Sequence, residues 1–138
     1  MAKQSMYDFA LALEIVSKML WSTQIIRHRF EPIQSPLDFM VSDAGLEKFD
    51  AIYMQLIAIG ESVKNLDKIT GGSLLPELAD VEWKKIMGMR DVISHHYFDV
   101  DHEAVYTVCE EHIGPLQIAL EHIARQLEVQ VNDGSSTD

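Results

Sequence analysis

Phe9, Leu13, Val16 and Leu20 follow one another at steps of four, three and four residues. That spacing puts them on one face of an α-helix, and a chain that repeats it must build its core by packing helices. It recurs in Leu46, Phe49, Tyr53, Leu56, Val63 and Leu66, and again in Val105, Val108, Ile113, Leu116, Leu120, Ile123 and Leu127. No stretch alternates apolar and polar residues as a half-buried strand would. The spacing predicts an all-α, up-and-down bundle of four main helices.

The first helix is expected from Met6 to near Arg29. "FEPIQSPLDF" interrupts it with two prolines and makes a connection, with one short turn from Pro36. The second helix should begin near Asp43, a plausible N-cap, and Gly60 within it suits a close helix contact. "TGGSLLPELAD" breaks the pattern. A third helix then starts near Asp80 or Val81 and runs to about Tyr97, its core side being Trp83, Ile86 and Met87, or Met89 and Ile93. After "FDVD", Asp101 can cap the last helix, which Pro115 should bend. Residues 1–129 form the helical domain, and 130–138, ending in "VNDGSSTD", read as a disordered polar tail.

A chain of 138 residues is one domain, long enough to bury roughly two thirds of its unfolded surface. Its one cysteine, Cys109, excludes an intrachain disulfide. Asp8, Glu14 and Lys18 interrupt the apolar run "FALALEIVSKML", so it does not read as a signal peptide, and a cytoplasmic protein with no membrane span is expected. The formal charge of -11, from 22 acidic and 11 basic residues, argues against broad attraction to a nucleic-acid backbone. Any contact with RNA must be local.

The densest group of chemically capable side chains is "MRDVISHHYF", residues 89 to 98. At about 100° per residue Arg90 and Tyr97 share a helix face, whereas His95 is rotated by about 140° from Arg90. One straight helix cannot aim Arg90 and His95 at the same atom. They converge only if the helix gives way near its end, or if a second copy of the chain brings its own cluster alongside. The residue types suit cleavage of a phosphodiester without metal. A histidine moves a proton near neutral pH, a guanidinium stabilises charge on phosphate oxygens, and RNA supplies its own 2′-hydroxyl nucleophile. Against this, charged and aromatic residues at a helix C-terminus often only cap it or lie along the surface.

The string Arg90, four residues, His95, one residue, Tyr97 resembles the R-x4-H-x-Y signature of the HepT-like branch of the HEPN superfamily. "VEWKKIMGMRDVISHHYFDVD" is similar to that branch's W-x-x-I-x-G-M-R-N-x-x-x-H-x-Y-x-x-x-D run. "LIAIGESVKNL" resembles its I-G-E segment, and "VYTVCEEHIGPLQIAL" its last helix. The likeness covers roughly residues 5 to 128. It implies a helical homodimer whose two motifs face each other across a cleft, acting as a metal-independent ribonuclease toxin of the type VII kind. The implied partner is an MNT-type nucleotidyltransferase antitoxin that adds AMP to the motif tyrosine. Carried over, Arg90 and His95 are catalytic, Asp91 supports them, and Tyr97 is the modified hydroxyl. Asp91 stands where the branch more often has asparagine.

Lys84, Lys85 and His96 are candidates for RNA phosphate contact, with Asp80 and Glu82 partly cancelling the lysines' field. His95 and His96 point about 100° apart on a helix and do not suit one metal ion. His102, Cys109, His112 and His122 lack ligand spacing, and no metal or cofactor is expected. "RHRF", residues 27 to 30, most simply answers a helix dipole, and Glu61 could pair with Arg90 or lie exposed. The expectation is an endoribonuclease acting on RNA, with a non-catalytic nucleotide- or RNA-binding module beside a nucleotidyltransferase as the alternative.

Overall fold

Asp8, in an extended conformation, accepts the amide of Leu11 at 3.0 Å, and the first helix follows. The computed structural model describes residues 7–78, 80–96 and 99–136, with backbone alone at 95, 96, 99, 135 and 136. Helix α1 spans Phe9–Phe30 and α2 spans Asp43–Ile69. The short helices α3 (Trp83–Met87) and α4 (Met89–Ile93) come next. Strands β1 (Ser94–His96) and β2 (Asp99–Val100) follow. Helix α5 (His102–Thr107) then leads through a π turn at Val108–His112 into α6 (Ile113–Ser136).

The helical bundle is as expected, and α1 packs between α2 and α6. Because it touches both, its buried line is Ala12, Val16, Met19 and Ile26, whereas Phe9, Leu13 and Leu20 are only partly buried. By length and composition α1 could cross a membrane, but its buried line makes it the central helix of this core. Met6, the expected start, lies outside the described residues.

Ser42, not Asp43, caps α2, accepting the amide of Gly45 at 3.0 Å. Asp43 takes the first helical position, where a carboxylate meets the positive end of the helix dipole. Leu46, expected in the core, is 44% exposed, within the first turn of α2. The far end of α2 closes where Gly71 and Gly72 take φ of 63° and 74°. Their amides return to Lys68 and Asp67 at 3.2 and 2.9 Å, the pairing that satisfies a helix's last carbonyls.

Pro115 cannot donate to the carbonyl of Glu111, and the turn before it is the π turn, where Ile113 donates five residues back to Val108. Helix α6 continues to Ser136, so residues 130 to 136, assigned on composition to a polar tail, are helical.

Candidate active site

The segment carrying the motif is fastened to the bundle at three places. Trp83 is buried and donates its indole N–H to the carbonyl of Leu78 at 3.0 Å. Gly60 of α2 lets α3 and α4 lie against it. A Cβ there would stand 2.8 Å from the carbonyl oxygen of Ile86 and 3.1 Å from Cβ of Met89. Met89 and Ile93 anchor α4 in the core at 5% and 0% exposure.

The path of this segment corrects the sequence reading. The third helix does not run unbroken from Asp80 to Tyr97. It begins at Trp83, is interrupted at Gly88, and ends at Ile93. Ser94 is extended, at φ -149° and ψ 132°, and its amide returns to the carbonyl of Arg90. Strands β1 and β2 pair antiparallel, with Ser94 opposite Val100, His96 opposite Asp99 and an irregularity between. A helix reaching Tyr97 would leave Phe98 to Val100 alone to turn back to the cap at Asp101. Ending at Ile93 lets the amide of Asp101 donate to the carbonyl of Ile93 at 2.8 Å. Asp101 caps α5 as expected, accepting from the amide of Ala104 at 3.0 Å.

Arg90 therefore sits on α4, while the backbone of His95 is in the hairpin. The helix does give way before His95 is reached. Arg90 and Asp91 are both exposed, and neither forms an ion pair with a described residue. An exposed guanidinium has the chemistry to pair with a phosphate. The side chains of His95 and His96, and the whole of Tyr97, lie outside the described residues.

Lys84 and Lys85 are exposed on α3. Lys85 is tied to Glu82 at 3.2 Å, and Lys84 has no ion pair among the described residues. Glu61 is exposed and does not pair with Arg90. In "RHRF", Arg27 donates to Gln117 on α6 at 2.8 Å, and Arg27, His28 and Arg29 occupy the last turn of α1 as the dipole reading expects.

Sequence reasoning missed the packing of His102. Its ring lies 4.4 Å from that of Phe49, which in turn meets Phe39 at 5.1 Å. Phe30 meets Tyr106 at 5.2 Å, and the Tyr106 hydroxyl donates to the carbonyl of Gln34 at 3.0 Å. These contacts tie α5, and with it the base of the hairpin, to α1 and α2. The only signal in the sequence was the run of aromatics, whose partners are far apart along the chain. Cys109 is buried, and burial pushes its thiol up to about 12, which keeps it protonated and unsuited to nucleophilic attack. No group of three or more His, Cys, Asp or Glu residues suited to a metal ion occurs among the described residues.

The family described as "Ribonuclease HepT-like" matches residues 19–123, and the chain belongs to that family. A protein of Caldanaerobacter subterraneus, provisionally named as an RNase, is 33% identical over 76 residues, covering 55% of this chain and 64% of its own. One from Methanocaldococcus jannaschii, named in the same way, is 33% identical over 58 residues, covering 42% of this chain and 45% of its own. A second from that organism is 31% identical over 78 residues, covering 56% and 64%. The chain thus spans less than two thirds of these relatives. No solved structure matches it.

Proposed function

We propose that this chain is a metal-independent endoribonuclease acting as the toxin of a two-component type VII toxin-antitoxin system in the cytoplasm. The observation that carries the reading is an exposed Arg90 without an ion pair among the described residues, on a helix that ends at Ile93, before the hairpin residue His95 is reached, in a chain of the HepT-like family. Two copies meet with their motifs facing across a cleft. His95 of one copy takes the proton from the RNA 2′-hydroxyl as that oxygen attacks phosphorus. The bond to the 5′-oxygen breaks, and that oxygen leaves with a proton from the matching imidazole of the other copy. A 2′,3′-cyclic phosphate remains. Arg90 stabilises the charge on the non-bridging oxygens, and Asp91 holds the polar surroundings of the guanidinium. Lys84, Lys85 and His96 add local attraction for the RNA backbone.

Tyr97 is the regulatory hydroxyl. An MNT-type nucleotidyltransferase antitoxin adds AMP there, placing bulk and negative charge in the cleft where RNA phosphates would lie. Co-expression with that partner tests the regulatory half. The chain should gain the mass of AMP at Tyr97, and the Tyr97→Phe variant should not. Intact mass without any gain, together with unrelieved growth arrest, contradicts it.

The net charge of -11 favours a second reading, in which the cleft holds nucleotide or RNA without cutting it and serves as a binding module for the nucleotidyltransferase. Purified protein that binds nucleotide, leaves RNA intact and permits growth selects this reading.

A further inference from the structure

An open groove of about 710 Å³ runs between α3 and α4 on one side and α5, the π turn and the start of α6 on the other. Its floor is apolar, built from Ile86, Met89, Val92, Val108, Pro115 and Leu116. Val92, one of the groove's lining residues, is 41% exposed, which leaves an apolar side chain uncovered there. The rim is acidic. Asp80, Glu82 and Glu103 border it, and the ammonium of Lys85 is tied to Glu82, so Asp80 and Glu103 have no ion pair among the described residues.

The position of this groove separates it from the motif. On α4, Arg90 is rotated by about 100° from Met89 and about 160° from Val92, so its guanidinium leaves the helix on a different side from the groove floor. A phosphodiester bound by Arg90 would not occupy the groove, and the groove's carboxylates would repel one that did. The π turn adds to the shape. Without it the positions of Val108 and His112, both on the groove, would follow the regular helical register of α5.

We infer that this groove docks an amphipathic helix of a different protein, one with apolar residues at helical spacing flanked by lysine or arginine. The apolar face fills the floor over Val92, and the basic flanks meet Asp80 and Glu103. The inference stands apart from the catalytic reading of Arg90, because the groove would bind its partner whether or not the motif cuts RNA.

A photo-crosslinking benzoylphenylalanine at position 92, in the full chain within the cells that make it, tests this. The expected product joins position 92 to a segment of another protein with apolar helical spacing and a net positive charge. That segment, synthesised, should bind the purified chain. Its affinity should fall at least tenfold for Glu103→Lys and for Val92→Asp, with unchanged circular dichroism, and for a peptide whose lysines and arginines are replaced by glutamate. Crosslinks only to this chain's own sequence, to RNA or to an acidic segment overturn the inference. So does the absence of any product, or an affinity indifferent to both groove variants.

Discussion

The amide of Asp101 donates to the carbonyl of Ile93 at 2.8 Å, closing the loop that contains His95 and Tyr97 onto the end of the helix that carries Arg90. The side chain of the same aspartate caps α5 through Ala104 at 3.0 Å. One residue thus fixes both where the hairpin ends and where the next helix starts.

Replacing Asp101 with alanine removes the cap and keeps the backbone bond. The expected loss is about 1 kcal/mol of stability, seen as a fall in Tm of about 3 °C in a thermal melt. If the hairpin depends on this cap, RNA cleavage should fall by more than the folded fraction does. Asp101→Asn, which can still accept from Ala104, should recover most of both losses.

Gly60 sets the distance between α2 and the motif segment. A methyl group in Gly60→Ala would meet the carbonyl of Ile86 at 2.8 Å and Cβ of Met89 at 3.1 Å, and the first of these is backbone that cannot step aside alone. Overpacking of this kind costs about 1–3 kcal/mol, against which alanine's better helix propensity returns about 1 kcal/mol. Denaturant titration should show net destabilisation, and α3 and α4 should shift away from α2. A variant as stable as the parent would mean that the close approach at Gly60 is not tight.

Cys109 predicts a dependence on alkaline pH. Burial raises its pKa to about 12 in the folded chain, so the folded state holds the thiol proton over a range where the unfolded state has released it. Its contribution is fully present below the unfolded pKa and is lost as pH rises towards 12. Burial also raises Tyr7 and Tyr106, each with a further push from a nearby glutamate, so the parent's decline is a sum. The difference between parent and Cys109→Ala, followed by urea unfolding at rising pH, isolates the thiol. It should narrow steadily above the ordinary thiol range, and the native thiol should react slowly with iodoacetamide at neutral pH.

The long helices were legible in the sequence because apolar spacing over twenty or more residues has one geometric meaning. The faces were less so. The stripe read as Phe9, Leu13, Val16 and Leu20 is centred on Ala12, Val16 and Met19 in the bundle, because α1 contacts two neighbours and its apolar arc is wide. The hairpin was hidden for a different reason. Strands of three and two residues contain no period to detect, and the choice between helix and strand at Ser94 rests on the bond from Asp101 to Ile93. Arg90, Lys84 and Lys85 are exposed, as phosphate contacts must be, but the groove beside Val92 gave no sequence signal, since it forms only where the motif segment folds against α5 and the start of α6. Pro115 announced an interruption without saying that it would be a π turn.

The central claim is that Arg90 and His95 together cut RNA. Arg90 is exposed and unpaired among the described residues, so Arg90→Ala should change stability by no more than about 0.5 kcal/mol. Removing its charge from the transition state should nonetheless slow cleavage by about 10²–10³-fold. The direct measurement is the rate of RNA cleavage in excess EDTA by purified parent, Arg90→Ala and His95→Ala, each checked for an unchanged melt. The account predicts a chelator-resistant parent, ends bearing 2′,3′-cyclic phosphate, and near-complete loss in both variants. Cleavage that either folded variant retains at the parental rate, or that EDTA abolishes, contradicts it.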